Sequence, residues 1–103
     1  MMHIVGSVTA RPGMGSSFFH LAREHATRTR KEPGCIFFHV EQVVDDPNLL
    51  IVAECYVDAA AHASHDASSY MQDFMKVIDS HLATLRFNMI VGGEIEVIDK
   101  KMG

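Results

Sequence analysis

The sequence contains no tryptophan, only two cysteines and no long hydrophobic run, and these absences exclude several classes of protein. No apolar stretch approaches the ~20 residues that a membrane-spanning helix needs, so we expect a soluble protein without a membrane partner. The N-terminus lacks a charged segment followed by a sustained apolar core, so no secretory signal is expected. Cys35 and Cys55 are too few for a disulfide framework and indicate free thiols in a reducing cytoplasm.

Positive charge is not in excess either. The formal net charge is −4, whereas a domain that binds nucleic acid is usually basic. The one basic cluster, Arg28, Arg30 and Lys31, lies where a helix is predicted to end, and cations there complement the helix dipole. We therefore expect no nucleic-acid partner.

Turn signals divide the 103 residues into the elements of one domain, residues 1–103. The predicted elements are strands 2–10, 35–43, 49–57 and 84–98, a helix beginning at Ser16 or Ser17 and ending near Lys31, and a helical stretch 59–82 interrupted near 66–69. Ser68 is the expected cap of the second helical piece, and Gly92-Gly93 indicates a bulge or bend in the last strand. The order β-α-β-β-α-β predicts the α+β class, with a ferredoxin-like four-stranded antiparallel sheet and both helices on one face.

The central strands are apolar on both faces, in the segments IFFHV and LLIVAECYV. A sheet that is covered by helices on one face only should alternate apolar and polar residues. Because no sequence remains to cover the second face, we predict a homodimer packed sheet to sheet, as in a dimeric α+β barrel.

Glu54 is the lone carboxylate within an apolar strand. The two-residue period of a strand places it on the same face as Val52 and Tyr56. A carboxylate there must find a partner or hold a raised pKa. Either Glu54 is a base or an acceptor that orients His65, or it is a structural hub that binds backbone amides or an arginine such as Arg86.

His65 is the first candidate for a catalytic base, although a histidine that joins helix and loop by a backbone hydrogen bond would look the same. Tyr56 and Tyr70 are candidates for polar groups that bind a substrate oxygen, or are core residues with a hydroxyl at the surface. His62 lies three residues before His65, yet a metal site needs a further ligand and none is recognisable, so no metal is expected.

Three more side chains are candidates for contact with a substrate. Phe38 and Phe74 are the expected walls of a pocket for a flat aromatic ligand, and both would otherwise be core residues. His39 lies in the middle of a strand with Phe37 on its face, and the sequence does not determine whether that face meets the helices or the dimer space.

Several motifs together resemble the antibiotic biosynthesis monooxygenase family of small dimeric α+β barrels. The segments that carry the resemblance are Glu32-Pro33-Gly34-Cys35, Asp46-Pro47, Glu54-Cys55-Tyr56-x-Asp58, and Ala63-x-His65-x-x-Ser68 leading to Phe74. The resemblance implies a homodimer and, in some members, oxygenation of quinols or polycyclic aromatic anthrones by dioxygen without flavin, metal or haem. Other relatives degrade haem or isomerise a phosphorylated sugar derivative, and fold alone does not determine function.

The departures from the family pattern concern the same region. Haem-degrading relatives have a tryptophan at the position of His65 and a haem-ligating histidine at the position of Met75, so haem degradation is not expected here. The family often has tryptophan at Tyr56 and histidine at Tyr70, so two phenols replace those rings. The resemblance therefore implies a cytoplasmic cofactor-independent monooxygenase for a quinol-like or polycyclic aromatic substrate, with His65 as base assisted by Glu54 and Tyr70.

Two alternatives remain open at this point. The first is an isomerase or detoxifying enzyme that moves protons on a small carbonyl compound with the same imidazole and carboxylate. The second is a non-enzymatic module that binds an apolar metabolite. The sequence does not identify the substrate, and the methionine-rich and phenylalanine-rich interior suits all three functions.

Overall fold

The computed structural model describes residues 1–102 and contains five strands and three helices within that range. The elements are β1 (Met2–Ala10), α1 (Gly15–Thr29), β2 (Cys35–Val43), β3 (Asp46–Tyr56), α2 (Ala59–Asp66), α3 (Ser69–His81), β4 (Leu82–Val91) and β5 (Glu94–Lys101). The strands form one antiparallel sheet in the order β2-β3-β1-β4-β5. The α+β, ferredoxin-like class that the sequence predicted is confirmed.

The expected single last strand is wrong, because the chain reverses at Gly92-Gly93. Both glycines have positive φ, 57° and 79°, which is the backbone of the tight two-residue turn that joins paired strands. Residues 94–101 therefore return along β4, with Ile90 opposite Ile95. The sheet gains a fifth strand at its edge instead of a bulge.

Two other predicted boundaries were also wrong. The turn before β3 is shorter than expected, and β3 begins at Asp46 rather than Leu49. Helix α1 begins at Gly15 after Met14, which provides no side-chain cap, so neither Ser16 nor Ser17 is the cap. The side chain of Asn48 supplies this missing acceptor, since its Oδ1 accepts a hydrogen bond from the Gly15 amide at 3.0 Å.

The predicted interruption of the second helical stretch is confirmed. Helix α2 ends at Asp66 and α3 begins at Ser69. Ser68 caps α3 by accepting from the Met71 amide at 3.3 Å, and Asp58 caps α2 by accepting from the Ala61 amide at 2.8 Å. Such caps satisfy amides that have no partner inside the helix. Because of this break, His65 lies near the end of α2 and Tyr70 lies in the first turn of α3.

The main core lies between the sheet and the helices α1 and α3. Its buried residues include Val8, Phe18, Phe38, Leu50 and Leu82. Leu50, Val52 and Glu54 lie on this face, and their neighbours on β1 are Val8, Gly6 and Ile4. The sequence predicted that the three residues share a face, but not that it is the face toward the helices.

The other face of the sheet carries apolar side chains that none of the three helices within residues 1–102 covers. One row of cross-strand neighbours on it runs His39, Ala53, Val5, Asn88 and Val97. On this face Val5 is 41% exposed, Ile51 43% and Val97 50%. The sequence-based expectation that both faces of the central strands are apolar agrees with this arrangement.

Candidate functional site

An apolar cavity of about 100 Å³ lies between the sheet and the helices α1 and α3. Most of its walls are aliphatic and aromatic side chains, among them Phe38, Val52, Phe74 and Leu85. Three polar side chains also line it: His25, Glu54 and His65. Isolated titratable groups in an apolar cavity are candidates for acid–base chemistry.

His65 is fixed in the wall of this cavity. Its side chain is 2% exposed, and its Nδ1 lies 2.9 Å from Oε2 of Glu32. The hydroxyl of Tyr70 lies 3.3 Å from the same nitrogen. Because both contacts involve Nδ1, Nε2 remains available for a ligand.

Tyr70 extends this contact into a short chain of hydroxyl groups. Its hydroxyl donates to Oγ1 of Thr29 at 3.5 Å, and the Thr29 hydroxyl donates to the backbone oxygen of His25 at 2.9 Å. Thr29 is completely buried. The chain links the end of α1 to the start of α3 beside His65.

Glu54 is the second polar group of the cavity. The hydroxyl of Tyr56 donates to its Oε1 at 2.7 Å. Burial raises the pKa of Glu54 to about 7, and the hydrogen bond from Tyr56 opposes that rise. A carboxyl group with a pKa near neutrality can both accept and return a proton.

His25 projects from α1 into the same space and is 5% exposed. Its ring stacks on Phe74 with 4.1 Å between centroids and an angle of 8°, and it lies 5.2 Å from the ring of His65. Burial lowers the pKa of His25 to about 4, with the nearby His65 as a smaller cause. His25 is therefore neutral at physiological pH and belongs to the cavity wall.

A comparison with protein families decides the family of the chain. Residues 1–77 match the sequence profile of the antibiotic biosynthesis monooxygenases. The chain belongs to the antibiotic biosynthesis monooxygenase family. A comparison with curated proteins gives no match.

Solved structures of similar fold include members of this family from several bacteria. A family protein from Deinococcus radiodurans has 20% identity and a TM-score of 0.81, and the alignment covers 95% of this chain and 98% of that one. One from Nitrosomonas europaea has 18% identity and a TM-score of 0.81, covering 89% and 98%. One from Chloroflexus aurantiacus has 20% identity and a TM-score of 0.76, covering 99% and 98%. At these identities the similarity shows the fold alone.

Among the candidate residues of this family member, the structure brings His65, Glu54, Phe38 and Phe74 together in the cavity wall. Tyr56 and Tyr70 are not in the wall but donate or accept hydrogen bonds behind Glu54 and His65. His39 lies on the opposite face of the sheet, opposite Ala53 in the register, and so does not reach the cavity.

The suggested partner of Glu54 was wrong. Arg86 pairs in register with Ser7 and Asp99, which places it on the face away from the helices. The acceptor that engages His65 is Glu32, and not Glu54. Strand alternation correctly predicted the face of Glu54 but gave no information on its partner.

Sequence reasoning missed Glu32 and His25 as parts of the site. Glu32 stood only in the motif before Pro33-Gly34, and a carboxylate in a turn is usually solvated. His25 lies within the first predicted helix and was assigned no role from the sequence. Its one signal was an imidazole at a position where the helical spacing requires a core residue.

Proposed function

We propose that this family member is a cofactor-independent monooxygenase, and that it removes a phenolic proton from a quinol-like substrate before reaction with dioxygen. The observation that carries the proposal is His65, whose Nδ1 is engaged by Glu32 at 2.9 Å while the ring lines an apolar cavity. An imidazole in this position has one free nitrogen beside a space with mostly apolar walls.

Deprotonation must be assisted by the cavity. A free phenol with a pKa near ~10 and a free imidazole near ~6.5 differ by ~3.5 units, so unaided transfer is unfavourable by about 5 kcal/mol. The resulting aromatic anion is electron-rich and can pass an electron to dioxygen. Glu54 in its protonated form, which a pKa of about 7 makes available at neutral pH, would donate a hydrogen bond to the substrate oxygen.

The size of the cavity favours a single aromatic ring over a polycyclic one. The cavity measures about 100 Å³, whereas an engineered cavity of roughly 150 Å³ is sufficient for benzene. The cavity would have to expand a little to hold a single-ring quinol, and much more to hold a three-ring anthrone. Phe38 and Phe74 would contact the faces of the ring.

A homodimer of cytoplasmic location is part of the proposal. The uncovered face of the sheet exposes Val5, Ile51 and Val97, and a second copy would bury them. Cys35 and Cys55 are free thiols on opposite faces of the hairpin, as suits a reducing compartment.

The test is oxygen consumption with single-ring quinols and with anthrones, using metal-stripped and flavin-free protein. We expect uptake with the quinols that falls at least tenfold in His65→Ala. His20→Ala is the matched control, since His20 is 75% exposed and its ion pair is with the exposed Glu24. Uptake that is the same in His65→Ala would remove His65 from the mechanism.

Glu54 supports a second candidate function, an isomerase for a small carbonyl compound. Two acid–base groups, His65 and Glu54, line one cavity, and together they could remove and return a proton without dioxygen. Deuterium exchange from D₂O into a carbonyl substrate, without oxygen uptake, would favour this function. If neither activity is found, and if the binding of an apolar ligand weakens modestly in His65→Ala, a non-enzymatic binding module is favoured.

A further inference from the structure

Glu32 joins two spaces that the fold otherwise separates. His65 lines the inner cavity, and Glu32 does not. Glu32 lines a surface groove of about 380 Å³, together with Ser64, Ser68 and Tyr70. The 2.9 Å contact between His65 Nδ1 and Glu32 Oε2 therefore connects the inner cavity to the groove.

The hydrogen bonds around Nδ1 define the tautomer of neutral His65. An ionised carboxylate only accepts hydrogen bonds, so Nδ1 must carry the proton that it shares with Glu32. Tyr70 agrees with this assignment, since its own proton goes to Thr29 and its oxygen is free to accept from Nδ1. The lone pair of the ring is then on Nε2.

The accessibility of Nε2 of His65 follows from its lack of a hydrogen-bond partner in the described part of the chain. Within residues 1–102 no protein group hydrogen bonds to this nitrogen. In the same range, every side-chain nitrogen or oxygen that is fully shielded from solvent has a hydrogen-bond partner. Because Nε2 has no such partner in that range, it is not fully shielded by protein atoms, although the His65 side chain as a whole is 2% exposed. We assign the space beside Nε2 to the cavity that His65 lines.

We propose that Glu32 is a positioning residue for His65, and that the pair carries the substrate proton from the cavity to water in the groove. This inference rests on the proposed role of His65 as a base. A substrate hydroxyl gives its proton to Nε2, the Nδ1 proton passes to Oε2 of Glu32, and Glu32 releases it to groove water. The O–H bond of the substrate breaks, one hydronium ion forms, and no electrons are transferred.

The exposure of Glu32 supports the second half of this path. Its side chain is 23% exposed, so the carboxylate contacts both a buried imidazole and solvent. A carboxylate that accepts Nδ1–H also stabilises the imidazolium that forms during proton transfer.

Three variants separate positioning from proton transfer. Glu32→Gln keeps a carbonyl oxygen that can accept Nδ1–H but cannot take up a proton. Glu32→Ala removes both functions, and Glu32→Asp restores a carboxylate on a shorter side chain. Ser64→Ala is the control, because Ser64 lines the same groove, and the hydrogen-bond partners of the His65 ring among residues 1–102 are Glu32 and Tyr70.

The first measurement is the tautomer of His65 in substrate-free protein, from ring ¹⁵N NMR shifts at a pH where the ring is neutral. We expect Nδ1–H in the wild type, Ser64→Ala and Glu32→Gln, and a mixture of tautomers in Glu32→Ala. An Nε2–H ring in the wild type would overturn the proposal, whatever the oxygen uptake. If Glu32→Ala does not fold, the wild type and Glu32→Gln still decide the matter.

The second measurement is the rate at which 4-nitrophenol becomes phenolate on mixing with protein. We expect Glu32→Gln to slow this step at least tenfold, Glu32→Asp to recover part of the rate, and Ser64→Ala to match the wild type. Equal rates in the wild type and Glu32→Gln, or no ionisation by the wild type, would overturn the relay. Ionisation without oxygen uptake from any quinol would sink the proposed monooxygenase and leave the relay supported.

Discussion

Tyr56 and Glu54 lie two residues apart on the same face of β3, and the phenol donates a hydrogen bond of 2.7 Å to the carboxylate. Burial raises the pKa of both groups, to about 7 for Glu54, while the adjacent Glu54 charge raises that of Tyr56 further. Tyr56 is completely buried. The two-residue period of a strand thus creates a polar pair at the cavity edge.

Removal of the Tyr56 hydroxyl should raise the pKa of Glu54 above 7. The hydrogen bond stabilises the ionised carboxylate, and the burial that opposes ionisation remains in Tyr56→Phe. A ¹³C NMR titration of the Glu54 carboxyl carbon measures the change. Tyr70→Phe is the control, since the hydroxyl of Tyr70 contacts His65 and not Glu54. An unchanged or lower pKa of Glu54 in Tyr56→Phe would contradict the assignment.

The free energy of unfolding of Glu54→Gln, relative to that of the wild type, should increase as the pH rises. The pKa of Glu54 increases on folding from 4.5 to about 7, so its contribution to stability is full below pH 4.5 and is lost as the pH rises toward and through 7. The loss is at most about 3 kcal/mol. Urea unfolding at several pH values should give a free-energy difference between variant and wild type that grows with pH. A constant difference would show that Glu54 does not titrate in this range.

His25→Phe should protect the protein against acid. The pKa of His25 falls on folding from 6.5 to about 4, so the unfolded state binds more protons and stability is lost as the pH falls from 6.5 toward 4. Phenylalanine retains the stack on Phe74 and removes the titration. We expect up to about 3 kcal/mol less acid destabilisation in unfolding experiments. His20→Gln, at an exposed site, should keep the acid sensitivity of the wild type.

Gly6→Ala should destabilise the fold by about 1–3 kcal/mol or more, the usual range for overpacking. A Cβ at Gly6 would collide with the backbone oxygen of Arg86 and with the ring of Phe87. Phe87 lines the cavity, so its displacement should also weaken ligand binding. Denaturant unfolding measures the first effect. Ser7→Ala on the same strand is the control, and equal stability of the two variants would refute the steric explanation.

Val5→Glu should convert the proposed dimer to a monomer. Val5 lies on the central strand of the uncovered face, where a second copy of the chain would have to bury the new charge at a high desolvation cost. Val44→Glu is the matched control, since Val44 is 95% exposed and lies in the turn before β3. Sedimentation velocity should show monomer for Val5→Glu and dimer for Val44→Glu. A wild-type protein that sediments as a monomer would end the dimer proposal.

The sequence alone determined the features that depend on short-range periodicity. Turn residues bounded β1, β2 and the break between α2 and α3, and strand alternation placed Glu54 with Val52 and Tyr56. Helix caps such as Ser68 are local as well. The element order β-α-β-β-α-β indicated the ferredoxin-like fold. Gly92-Gly93 was recognised as a break in regular structure, although its geometry was not.

Only the tertiary structure decided which distant groups meet. His65 and Glu32 are 33 positions apart, and their contact depends on how α2 packs beside the turn before β2. His25 lines the cavity because α1 and α3 pack on the same face of the sheet, where the ring of His25 stacks on that of Phe74. The strand register decided that Arg86 lies away from Glu54 and that His39 lies away from the cavity. Periodicity assigns a side chain to a face, but its partner is set by strand register and helix packing, which arise from the whole chain.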